Sequence, residues 1–237
     1  KENLFSEIEK QSGFRIHAED FKTTLLLDMV LTEVDIHRPS WNLPPLRLER
    51  LKISPSLGSL ILFQPKVNFQ LEFKEGKVQG FFQTRGGHTQ QVRLTLEDLP
   101  IQAIPLKEKM NLEIAGVLTG AASIHGNVKQ PQSLQGDATL TIQKFSLEKS
   151  MFMNMSLPAL SLSTITLDAR LEPERVVIQS LKMGGAQEDL EATLTGNIQL
   201  NERDLRRSRL DLRVRFKLSK KLQDEFSLFL PFIASAL

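Results

Sequence analysis

Apolar and polar residues alternate along most of this chain with a period of two, the repeat that sends successive side chains to opposite faces of a pleated strand. The clearest case sets Val67, Phe69, Leu71 and Phe73 against Asn68, Gln70, Glu72 and Lys74. Leu210, Leu212, Val214, Phe216 and Leu218 alternate as strictly with Asp211, Arg213, Arg215 and Lys217. Residues 160–200 repeat the design as strand, turn, strand, turn, strand. Leu160, Leu162, Ile165 and Leu167 begin it, with one slip at Thr164; Val176 and Ile178 follow Glu-Pro-Glu-Arg, and Leu190, Ala192 and Leu194 follow Gly184-Gly185. Glycine pairs supply the positive φ of tight connections, and short connections force antiparallel neighbours. The stretch predicts a β-meander.

The rest of the chain reads similarly. Strands are expected around Phe14, Ile16 and Ala18; around Val34 and Ile36, stopped by Pro39; over Leu46, Leu48, Leu51 and Ile53; at Val78–Phe81; over Val92, Leu94 and Leu96; and at Leu140 and Ile142, continuing to Phe145. Gly116, Gly120 and Gly126 suggest strands of little bulk with a bulge. Helical signals are short. Leu4, Phe5 and Ile8 form a stripe closed by Ser12-Gly13, Ser54 and Pro55 read as N-cap and first residue of one or two turns, and Leu222, Phe226, Phe229, Leu230 and Ile233 form a stripe broken by Pro231. Residues 150–158, with three methionines and Phe152, read as an apolar connection. Prolines 100 and 105 mark a boundary between two halves, 1–104 and 105–237.

The expected fold is mostly β: an extended, curled antiparallel sheet of two similar halves with short terminal helices. So little helix leaves one face of a wide sheet uncovered. Its apolar side must meet itself by curling, a partner, or lipid.

Composition narrows the function. Apolar content of 41% and charged content of 24% suit a folded chain rather than a disordered one. A net charge of +2 gives no general affinity for polyanions. With 6% aromatics and no Tyr, nothing interleaves with the basic residues to stack bases, so nucleic acid is not the expected partner. The absence of cysteine excludes disulfides, thiol catalysis and thiolate metal sites. No run of 18 apolar residues occurs, so no membrane-spanning helix is read in the chain.

Catalytic constellations are not found. His17, His37, His88 and His125 lack the spacing of a metal pair. No serine sits in a Gly-x-Ser-x-Gly elbow, and Thr84-Arg85-Gly86-Gly87-His88 reads as a hairpin tip rather than a phosphate loop. The chain is read as non-enzymatic, with no catalytic residue, cofactor or metal. Two binding surfaces stand out. Phe69, Leu71, Phe73, Phe81 and Phe82 form either core or the lining of an apolar groove for an acyl chain. Residues 201–221 carry nine cations against three carboxylates, Arg206, Arg207, Arg209, Arg213 and Arg215 among them. They form a solvated, edge-protecting face or a contact for anionic headgroups or an acidic partner.

The order GFRIHAEDF, VDIHRP, LRLERLKISPSLGSLILFQPKVNFQLEF and KEGKVQGFF resembles the AsmA-like repeat of Gram-negative envelope proteins. The succession IPLKEKMNLEIAGVLTGAASIHG, GDATLTIQKFSL and the meander resembles the protein N family of the type II secretion system (general secretion pathway protein N). The resemblance spans most of residues 1–200. It implies a periplasmic domain held at the inner membrane by a helix preceding Lys1, a curved β-sheet, and association with secretion subunits or envelope phospholipid. A non-enzymatic scaffold or adaptor of the secretion apparatus is the leading expectation, and an AsmA-like lipid-binding or lipid-transfer protein the alternative.

Overall fold

The computed structural model describes residues 9–10, 13–24, 27–39, 43–61, 64–86, 89–104, 112–127, 130–152, 155–201 and 207–226. The N-terminal half contributes β1 (Arg15–Thr23), β2 (Met29–His37), β3 (Leu46–Pro55), β4 (Lys66–Glu72), β5 (Lys77–Arg85) and β6 (Thr89–Pro100). The C-terminal half contributes β7 (Ile114–Gly126), β8 (Gln135–Leu147), β9 (Ser150–Phe152), β10 (Met155–Leu157), β11 (Leu160–Glu172), β12 (Arg175–Met183), β13 (Leu190–Gln199) and β14 (Arg209–Leu218). Two short helices, Leu57–Ile61 and Lys220–Phe226, join the strands, with 3-10 turns at Ile101–Ala103 and Pro131–Ser133; Glu9 and Lys10 are also helical.

Twelve strands form one antiparallel sheet in chain order, from β1 at one edge to β14 at the other, with the small β9–β10 hairpin set apart. The edges do not pair, so the sheet is not a closed barrel. It runs without a break across the predicted 104/105 boundary, because β6 pairs with β7 from Gln90↔Gly126 to Pro100↔Val117.

Alternation places the sheet's apolar residues in cross-strand rows. One row runs through Phe21, Leu31, Leu51, Leu71, Val78 and Leu96. It continues through Gly120, Leu140, Leu167, Leu181, Leu194 and Val214, crossing the whole sheet. This row divides the sheet into two rims. Toward one rim lie the starts of β1 and β3 and the ends of β2, β6 and β14; toward the other lie the opposite ends of the same strands.

The two rims differ in packing. Apart from Leu31 and Leu51, which lie on the dividing row, every buried apolar side chain among the described residues falls toward the first rim, including Ala18, Val34, Leu48, Phe73, Leu99 and Leu162. Val34, only 1% exposed, sits in a cluster with Ala18, Leu31, Leu48, Leu51, Phe73 and Leu99, onto which Ala103 and Ile104 pack after β6. Backbone irregularities explain this closure. Glu33, Asp98 and Lys144 all take positive φ (47°, 48° and 51°). Asp98 fills the bulge between Leu96 and Leu99, Lys144 lies opposite the register break at Ala115/Val117, and Glu33 drops out of both its ladders. Such irregularities bend a strand and raise its twist; these three lie on the rim that closes, and a further bulge in β12, between Ile178 and Leu181, lies on the other side of the dividing row. Gly76 (φ 77°) makes the β4–β5 turn against this bend, where a Cβ would stand 2.3 Å from the Asp98 carbonyl oxygen.

Local expectations need three corrections. The helix after β3 begins at Leu57, because the strand ladder holds Ser54 and Pro55 opposite Asn68 and Val67. Ser56, not Ser54, occupies its start, with the Ser59 N–H donating to the Ser56 carbonyl. The methionine-rich connection is itself a hairpin, β9–β10. The C-terminal stripe is helical over Lys220–Phe226; Phe229, Leu230 and Ile233 lie outside the described residues, as do Leu4, Phe5 and Ile8.

Candidate functional site: an apolar sheet face with one open rim

Beyond the dividing row, a second apolar row reaches toward the unclosed rim. Val67 pairs with Phe82, Phe82 with Val92, and Val92 with Ile124. Past Gly136 it resumes as Leu171, Val176, Ile198 and Leu210. Here the side chains are half-buried or exposed: Phe82 at 37%, Ile124 at 44% and Leu210 at 66%. Leu27, in the β1–β2 connection, and Leu57, the first residue of the helix after β3, are also exposed large apolar residues at this rim. The sheet therefore offers a continuous apolar surface sealed at one rim and bare at the other. Isolated exposed apolar residues are ordinary, but a contiguous set on one face marks an interaction surface.

Three of the five predicted groove residues join this surface as half-buried or exposed side chains. Phe69 and Leu71 pair with Gly80 and Val78, and Phe82 lies on the same face. Phe69 lies over Gly80, where a Cβ would come within 3.0 Å of its ring. Phe73 ends the same alternation but is buried in the core cluster of the closed rim. Phe81 is on the other face, opposite Asn68 and Arg93. Its ring lies 4.1 Å from the Lys66 ammonium and 6.0 Å from the Arg93 guanidinium carbon. It belongs to a shallow hollow of about 380 Å³ and mixed polarity, lined also by Lys52, Phe69, Gln70, Gln79, Arg93 and Thr95. A Phe-Phe pair in a strand cannot place both rings on one face.

The polar face is crossed by ion pairs such as Arg50–Glu72, Lys77–Glu97 and Arg170–Asp137. Beside these, Asp28 is held below the ordinary carboxylate value by hydrogen bonding from Ser54 and then Lys52. Glu188 is held low by the Ser163 backbone N–H and side chain and by the Gly185 N–H, tying the start of β11 to the β12–β13 loop.

Of the basic residues, Arg209, Arg213 and Arg215 share the polar face of β14 with Asp211 and Lys217. Arg207 precedes that strand, and Arg206 lies outside the described residues. Lys217 pairs with Glu191. His17, His37 and His125 lie on separate strands, β1, β2 and β7, and His88 is not described. Among the described residues no group of three His, Cys, Asp or Glu is arranged to hold a metal, and no helix is long and apolar enough to cross a membrane.

The asymmetry between rims escaped the period-two reading, although it left a trace. Ala18–Phe21, Leu31–Val34, Leu48–Leu51, Leu96–Leu99 and Ile142–Phe145 are spaced by three rather than two, and these slips coincide with the irregular backbone.

No family model matches the chain, and no curated protein or solved structure is significantly similar to it.

Proposed function

We propose that this protein is a non-enzymatic acyl-chain-binding protein whose apolar sheet face shelters hydrocarbon entering from the open rim. One observation carries the reading: apolar rows span all twelve strands, yet only one rim buries them. Each half-exposed side chain that hydrocarbon covers contributes roughly 25 cal/mol per Å² removed from water, and a face this long can contact a chain along its whole length. The polar rim residues Arg85, Thr89, Gln135 and Arg175 suit a headgroup left in water. Native mass spectrometry with lipid extraction, on protein purified from a Gram-negative host, tests this. Co-purifying phospholipid that is lost from a folded Phe82→Asp variant supports the reading, and a lipid-free protein that takes up no fatty acid refutes it.

The second reading is a periplasmic scaffold or adaptor of type II secretion anchored at the inner membrane, supported by the sequence resemblance and by the exposed basic edge strand β14. Its mode of action would be contact with secretion subunits through a sheet edge or face. Binding of purified periplasmic domains of those subunits tests it.

A further inference from the structure

The two edges of the sheet are finished differently. At β1 the inward residue Ala18 is 3% exposed, and the edge cations are engaged, Arg15 with Glu9 and Lys22 with Asp20. At β14 the apolar rows simply stop. Leu210 is 66% exposed, Phe216 39% and Val214 38%, although each continues a row whose interior members are better covered. On the opposite face, Arg213 and Arg215 stand across from Thr195 and Thr193, and neither has an ion-pair partner among the described residues. No described strand pairs with the outer side of β14.

We infer that β14 is a docking edge for an extended segment of another protein, one with acidic side chains at alternate positions and apolar ones between them. Added as a further strand, such a segment satisfies the edge backbone, continues the apolar rows over Leu210, Val214 and Phe216, and sets carboxylates opposite Arg213 and Arg215. Other occupants fit less well. Antiparallel pairing with β14 of a second copy in either central register opposes Arg213 to itself or to Arg215, a destabilising like-charge contact. Residues 227–237, SLFLPFIASAL, contain no acidic side chain to meet those arginines. An anionic bilayer would engage the cations but leave the strand's backbone edge unpaired. The inference deepens the scaffold reading, on which it rests for the kind of partner, and is independent of acyl-chain binding.

The test is hydrogen exchange on the whole chain with a capped peptide alternating Glu and Val, of about the length of β14. Slowed exchange of the amides of residues 209–218 is expected, with no effect from the Lys-Val counterpart. Arg213→Glu/Arg215→Glu, a change of two exposed residues, should weaken the peptide about tenfold and leave the melting temperature near the parent's. Protection that is absent, falls on β1, or survives the double variant overturns the inference. So does protection produced by phosphatidylglycerol vesicles and not by the peptide. The scaffold reading fails separately: if wild-type protein binds no secretion subunit while the peptide still protects β14, the edge stands and its assignment to secretion falls. If subunits bind the double variant as well as wild type, the scaffold stands and this edge is not its docking site.

Discussion

The closed and open rims are built from the same strands and nearly the same alphabet, yet they behave as different structures. At the closed rim Val34, Leu48 and Leu99 are buried by the bending of their own strands and by the chain after β6. At the open rim Phe82, Val92 and Ile124 continue the same face with no such bend, and two of the three are exposed. What separates them is backbone geometry, set by positive φ at Glu33, Asp98 and Lys144, rather than hydrophobicity. Hydrophobic side chains supply the drive to bury, and burial is achieved where bends at Glu33, Asp98 and Lys144 bring the strands together; the bulge in β12 between Ile178 and Leu181, on the other side of the dividing row, does not produce it.

Substitutions can break this contrast. The largest effect is expected from Phe73→Asp, which places an unpaired charge within the core cluster; circular dichroism should show a chain that fails to fold. Leu48→Ala should follow, costing about 2–5 kcal/mol in denaturant melts for a buried leucine. Gly76→Ala forces a Cβ toward the Asp98 carbonyl at positive φ and should cost about 1–3 kcal/mol. Next is a pH effect. The Glu188 carboxyl is held below its ordinary value of 4.5, so its contribution is complete above that value and lost as pH falls through the lower folded value. Glu188→Gln should flatten the acid limb of melting temperature against pH while leaving the open rim's ligand uptake unchanged. The smallest stability change, about 0.5 kcal/mol, is expected for Phe82→Asp, which should nonetheless abolish hydrocarbon uptake.

Much of the sheet was legible because period-two alternation reports directly on strands, and Val67–Phe73 and Leu210–Leu218 read as they fold. The hairpin within residues 150–158 was not, since its two strands are only three residues long, too short for an alternation such as Met155, Ser156 and Leu157 to stand out as a repeat. The groove was legible only in part. Leu71 and Phe82 share its face, whereas Phe81 points away, a distinction that alternation already contained. The burial of Phe73 against the half-exposure of Phe69 was not readable, because it depends on bending at Asp98, twenty-five residues later in sequence. The three-residue apolar spacings were the available signal for that bend.

Entry of hydrocarbon onto the apolar face at the open rim is open to photocrosslinking with a diazirine fatty acid, mapped residue by residue. Labels on Phe82, Val92 and Ile124, competed away by unlabelled fatty acid, are predicted. Labels on Phe81 and Arg93 across the polar face, or labelling that excess fatty acid does not displace, would contradict it.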